Sequence, residues 1–116
     1  LASKKQQRDE QDRTSQIFGA LAHPIRLRIV SELARGPMNV SQIMEALEVE
    51  QTAVSKHLAV LKSARIVCCA CAGRCRIYTL ISKRAVRAAL AAGEKLLAAA
   101  CEKDSSAESV GRRFRA

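Results

Sequence analysis

Four of the chain's five cysteines fall within eight residues, in the run Cys68-Cys69-Ala70-Cys71-Ala72-Gly73-Arg74-Cys75. Reduced thiols this close together are soft ligands, suited to As(III), Sb(III), Hg(II), Cd(II) or Zn(II), and the neighbouring Arg74 and Arg76 favour the thiolate that binds or reacts. Cys68, Cys69, Cys71 and Cys75 are therefore candidate metal ligands. Thiol oxidation or persulfide chemistry would use the same residues, and a cluster without a role is the third reading. Cys101 stands apart and reads as a small buried hydrophobe.

A second chemistry is electrostatic. Between Gln51 and Gly93 there are eight Lys or Arg residues and no Asp or Glu. Such a field attracts polyanion, and duplex DNA is the expected partner. The block opens with an amphipathic stretch whose Gln51, Thr52, Ser55, Lys56 and His57 could hydrogen-bond to base edges and phosphates, Lys56 to phosphate above all. Lys62 extends this set, and Ser41 and Gln42 add to it from the preceding segment. Arg65, Arg74 and Arg76 would hold phosphates from a neighbouring hairpin. The bland alternative is a solvated helix face and solvated hairpin charge, and a lone His57 is as often a structural group as a reader.

The elements that must position these residues follow from periodicity. Ile17, Phe18 and Leu21 recur at helical spacing from about Asp12 until Ala22-His23-Pro24 interrupts; Pro24 then opens a helix carrying Ile25, Ile29, Val30 and Leu33 up to Gly36-Pro37. Ser41 is a plausible N-cap for a short helix to Leu47, with Ile43 and Met44 on its apolar side. After the turn at 48–50, the segment from Gln51 to Ser63 places Val54, Leu58 and Leu61 at i, i+4 and i+7. Two short helices joined in this way make a helix-turn-helix, whose second helix enters the major groove. From Ile66 to Leu80 β-formers surround Ala72-Gly73, the expected tip of a two-stranded hairpin, and a hairpin in this place is a wing. Ser82 caps a final Ala-rich helix, with Val86, Leu90, Leu97 and Cys101 along a stripe suited to a dimer interface.

The expected fold is mainly α with a two-stranded β-hairpin wing, a winged helix-turn-helix dimerising through terminal helices. Residues 1–11 form a polar arm or the polar start of a helix, 12–103 the domain, and 104–116 a basic tail expected to be disordered. The formal charge is +9 over 116 residues. There is no run of eighteen apolar residues and the first residues are polar, so neither a membrane span nor a secretory signal is expected, and the location is cytoplasmic. Two histidines, no Gly-rich phosphate loop, no nucleophile elbow and no separated Cys-x-x-Cys pair argue against an enzyme. A ligand-independent architectural DNA-binding protein would share the basic field without sequence preference.

The run from Ala22-His23-Pro24-Ile25-Arg26-Leu27-Arg28-Ile29, through Val54-Ser55-Lys56-His57-Leu58-Ala59-Val60-Leu61-Lys62, to Tyr78-Thr79-Leu80 resembles the ArsR/SmtB family of winged helix-turn-helix repressors, over roughly Thr14 to Ala100. The resemblance implies a homodimer on an imperfect inverted repeat of operator DNA, with Gln51, Thr52, Ser55, Lys56 and His57 at DNA-facing positions. It also implies release by a ligand, commonly a metal ion or metalloid. Two metal sites known in the family are missing: Val40-Ser41-Gln42-Ile43 stands where one has Cys-x-Cys, and the last helix, with Glu94 and Glu102 but no His, lacks the other. A sensor would need the wing thiols, where relatives usually carry charged residues. With a three-residue loop 72–74, Cys71 faces Cys75 and Cys69 lies on the same side, so that three thiolates converge on a pyramidal metalloid. With the two-residue loop Ala72-Gly73, Cys68 and Cys75 share a face as a diagonal pair.

Overall fold

A computed structural model of the chain describes the backbone of residues 3–114 and the side chains of residues 3–103. In order the elements are α1 (Lys4–Leu21), α2 (Pro24–Leu33), β1 (Met38–Asn39), α3 (Val40–Leu47), α4 (Gln51–Ser63), β2 (Val67–Ala72), β3 (Cys75–Leu80) and α5 (Lys83–Phe114). They divide into two compact units, one ending at Val86 and the other beginning at Arg87 within α5.

The first unit is organised by α2. Pro24 sits in its first turn, where a missing N–H costs nothing, and His23 caps it by accepting the Ile25 amide on Nδ1 at 3.1 Å. Ile29, Val30 and Leu33 are buried among Ile43 and Leu47 of α3 and Val54, Leu58 and Leu61 of α4. The two arginines that precede these apolar positions on α2 bond to the ends of other helices. Arg26 Nε donates to Ala20 O at 2.6 Å, in the last turn of α1, and Arg28 Nη2 donates to Leu47 O at 3.2 Å, at the end of α3. Cations at helix C-termini satisfy orphan carbonyls and oppose the negative end of the macrodipole.

Three local expectations need correction. The N-cap of α3 is Asn39 and not Ser41: Asn39 Oδ1 accepts from Gln42 N at 2.8 Å while Gln42 Oε1 accepts from Asn39 N at 2.9 Å, a reciprocal capping box. Ser41 is inside the helix and exposed. Ile17 and Phe18, expected in the core, are 40% and 60% exposed, because only the last turn of α1, with Ala20 and Leu21, is buried. The helix starts at Lys4, where Ser3 and Gln6 form another capping box, so residues 4–11 are the polar turns of α1. Cys101 is exposed and not buried.

The sheet has three strands in the order β1-β3-β2, all antiparallel, one more than the expected hairpin. The two residues of β1 pair Met38 with Tyr78 and Asn39 with Ile77. In the hairpin Ala72 opposes Cys75, which leaves Gly73-Arg74 as the loop; neither loop considered from the sequence has this register. A positive φ of 64° at Gly73, with none at Arg74, is the pattern of a type II′ turn, in which glycine takes the first loop position. That placement draws Ala72 into the ladder. Val67 and Tyr78 are buried on one face of the hairpin, which is the face seated on the helices.

Ser82 caps α5 as expected, its Oγ accepting from Ala85 N at 3.1 Å. Within the second unit Leu96 and Leu97 are 72% and 66% exposed. The backbone is helical as far as Phe114, while the side chains of the expected tail, 104–116, lie outside the described residues. Among the described residues no helix is long and apolar enough to cross a membrane.

A ring contact joins the N-cap of α2 to α4. The rings of His23 and His57 lie with centroids 4.4 Å apart and planes tilted by 45°. Burial lowers the pKa of His57 below its ordinary 6.5, and the charges of His23 and Arg26 add to the effect. Because the folded chain resists protonation here, the unfolded chain takes the proton first as pH falls. The contribution of neutral His57 to stability is therefore complete above 6.5 and lost as pH drops through its lower folded value. Melting temperature should fall between about pH 7.5 and about pH 5.5, and His57→Gln should flatten that dependence in the same buffers. Leu58 is 1% exposed in the core. Its replacement by Ala should cost about 2–5 kcal/mol in urea denaturation, with the slope unchanged.

Candidate nucleic-acid interface

Helix α4 separates two jobs by face. Val54, Leu58 and Leu61 are buried, whereas Gln51, Thr52, Ser55, Lys56, Ala59 and Lys62 are exposed and follow one another along the opposite side. Burial of the apolar side fixes the rotation of the helix, since turning it to hide Ser55 or Lys56 would expose side chains worth about 1.5–3 kcal/mol each. The outward side then holds one amide, two hydroxyls and two ammonium groups. Glu50 at the N-cap makes no side-chain cap bond, so the first amide N–H groups of α4 also remain donors beside Gln51 and Thr52.

His57 does not join that side. It is half-buried with its ring against that of His23, 34 residues earlier in the chain. Ser41 and Gln42 are exposed on α3, but their surroundings differ from those of α4. The carbonyl oxygen of Gln42 is engaged in the Asn39 cap, and Ser41 lines a shallow hollow shared with Glu45, Glu48 and Glu50. Three carboxylates make that hollow a poor seat for phosphate. Glu48 adopts φ 55° to end α3, and so holds the turn that brings Gln51 to the start of α4.

Arg74 and Arg76 are exposed at and beside the hairpin tip. Arg65 lies elsewhere. It follows the far end of α4 with φ 60° and borders a hollow with Arg13, Gln16 and Ile17 of α1, about 20 Å along the helix from Gln51.

The four wing thiols are not brought to one point. The pairs Ala72↔Cys75, Ala70↔Ile77 and Cys68↔Thr79 share one face, while Cys71↔Arg76, Cys69↔Tyr78 and Val67↔Leu80 share the other. Cys69 and Cys71 therefore stand on the face that carries the buried Val67 and Tyr78, and Cys68 and Cys75 on the outer one. Across the outer face Cys68 Sγ and Thr79 Oγ1 are hydrogen-bonded at 3.0 Å. Among the described residues no three His, Cys, Asp or Glu side chains are grouped to hold a metal ion. The expected convergence of Cys69, Cys71 and Cys75 fails because shifting the loop by one residue moves Cys75 to the opposite face.

This arrangement has close parallels. Residues 23–68 match the profile described as bacterial regulatory protein, arsR family. An HTH-type transcriptional regulator of Mycobacterium tuberculosis is 49% identical over 61 residues, 53% of this chain and 57% of that one. An uncharacterised HTH-type transcriptional regulator of Methanocaldococcus jannaschii is 34% identical over 77 residues, 66% of this chain and 86% of that one. Among solved structures, a homodimeric winged helix-turn-helix DNA-binding domain from Mycobacterium bovis superposes with a TM-score of 0.75 at 25% identity, covering 83% of this chain and 91% of that one. The chain spans just over half the length of several curated relatives that it matches. With the helix-turn-helix and its hairpin in place, and likeness running through α2, α3 and α4 into the wing, the chain belongs to the ArsR/SmtB family of transcriptional regulators.

Proposed function

We propose that the protein is a cytoplasmic, sequence-specific transcriptional repressor that binds double-stranded operator DNA as a homodimer and is released when a thiol-binding ligand engages the wing. The observation that carries DNA binding is the outward side of α4: Gln51, Thr52, Ser55, Lys56 and Lys62 stand exposed in a stretch without a single acid. Gln51, Thr52 and Ser55 read base edges in the major groove, and Lys56, Lys62, Arg74 and Arg76 neutralise phosphates. Ser41 and Gln42 are secondary contacts, and His57 orients α4 without touching base edges.

The homodimer rests on apolar surface that the described part of the chain leaves uncovered, Ile17 and Phe18 on α1 and Leu96 and Leu97 on α5. Two copies place two reading helices about one helical turn of DNA apart, so the operator is an imperfect inverted repeat. The homodimeric neighbour of known structure supports the same assembly. The inducer is a soft metal ion or metalloid such as As(III) or Sb(III), and oxidation of the same thiols is the second reading, favoured by the exposure of Cys68, Cys71 and Cys75 on the hairpin.

Fluorescence anisotropy with a duplex from the protein's own promoter tests this. The operator should bind at least a thousandfold more tightly than random duplex, and equal affinity would mean an architectural protein instead. Lys56→Ala should weaken binding on every sequence and reduce the salt slope by about one, while Gln51→Ala should cost about 1–3 kcal/mol on the cognate sequence and relax one base position. Titration with As(III), Sb(III), Cd(II), Hg(II), Zn(II) and peroxide should release the DNA with one of them; release by none sinks the sensing reading. In sedimentation the protein should run at twice the chain mass, and Phe18→Asp should shift it to the monomer.

A further inference from the structure

The register of the hairpin sorts the wing thiols into unequal sets. Along β2, Cys69 and Cys71 are two residues apart on one face, which puts their Cα atoms about 6.7 Å apart with both side chains projecting the same way. Two thiolates bound to one soft ion in a line are about 4.6 Å apart, from a metal–sulfur bond near 2.3 Å, and rotation about χ1 brings neighbouring side chains on one face to that separation. The outer pair cannot do this. Cys75 opposes Ala72, four residues or about 13 Å along the strand from Cys68, and Cys68 is already bonded to Thr79. Cys71 and Cys75 are on opposite faces.

We infer that Cys69 and Cys71 form a two-thiol chelate on the inner face of the wing, selective for soft centres that offer two positions to sulfur, and that Cys68 and Cys75 are not ligands. This rests on the sensing role proposed above and names its site and ligand class. A two-coordinate ion such as Hg(II) fits, as does a trivalent arsenical carrying one organic substituent. With an arsenoxide the two thiols give up their protons, two S–As bonds form, and the oxygen leaves as water with no change of oxidation state. Arsenite itself, with three positions, would keep one for hydroxide or an external thiol.

The location couples the chelate to the DNA-facing tip. Cys69 is half-buried opposite the buried Tyr78, whereas Cys71 is exposed opposite Arg76. A bridge between them joins the anchored part of β2 to its free end and places the ligand beside a cation assigned to phosphate. The bridge thereby restricts how Arg76 and the Gly73-Arg74 loop adjust to a bound duplex.

The test is intact-mass spectrometry of the full chain after phenylarsine oxide, in excess glutathione so that single-thiol adducts exchange away and only a chelate persists. The wild type should retain one adduct with loss of two titratable thiols. The triple variant C68S/C75S/C101S should retain it, and C69S and C71S should each lose it; a melting curve on each variant confirms folding. An adduct kept by C69S or C71S, or lost from the triple variant, overturns the inference. Anisotropy on the same samples separates the two readings: an adduct on Cys69 and Cys71 that leaves DNA bound sinks the sensing role and spares the site. Release that survives C69S and C71S sinks the site and spares the sensing role.

Discussion

Helix α2 is where the winged unit is tied together, because its apolar and polar residues act on different neighbours at once. Ile29, Val30 and Leu33 supply the buried surface on which α3 and α4 rest, and hydrophobic burial is the only term large enough to offset the entropy of ordering three short helices. That force has no direction. Direction comes from the polar residues that precede them: His23 against His57 of α4, Arg26 on carbonyls in the last turn of α1, and Arg28 on the last residue of α3. Each is anchored at a helix end, where unpaired backbone groups make hydrogen bonds specific.

The consequence for α4 is that its outer side needs no structural duty. Val54, Leu58 and Leu61 hold it, His57 meets α2, and the side chains at 51, 52, 55, 56 and 62 contribute nothing to the core. They are therefore free to be chosen for the partner. Surface substitutions there should leave stability within about 0.5 kcal/mol, so that changes in binding report contacts and not folding.

How much of this could be read from residue order depends on range. The bounds of α4 were legible because three apolar residues at i, i+4 and i+7 define a face and the same spacing exposes Gln51, Thr52, Ser55 and Lys56 on the other. The cap of α3 was misassigned although its signal was local: Asn39 followed three residues later by Gln42 is the more complete capping box, and Ser41 lacks one. Strand β1 is two residues long and exists only through its pairing with Tyr78 and Ile77, forty residues away, so no window around it could announce it. The exposure of Ile17 and Phe18 shows another limit. Periodicity states that a face is apolar but not whether the same chain covers it.

The hairpin register is the most consequential of these distinctions, because one residue decides the chemistry. A strand repeats every two residues, so moving the loop by a single position exchanges the faces of every side chain on β3 relative to β2. Gly73 is the residue that fixes it. Glycine takes φ 64° at no steric cost, and in a type II′ turn glycine belongs at the first loop position, which pairs Ala72 with Cys75 and sends Cys75 away from Cys71. Four thiols that look like one cluster in the sequence thus become a close pair on the seated face and two separated thiols on the outer face. The same turn sets Arg74 at the tip and Arg76 on the face of Cys69 and Cys71. A single backbone angle therefore settles which sulfurs can act together and which cation their joining would restrain.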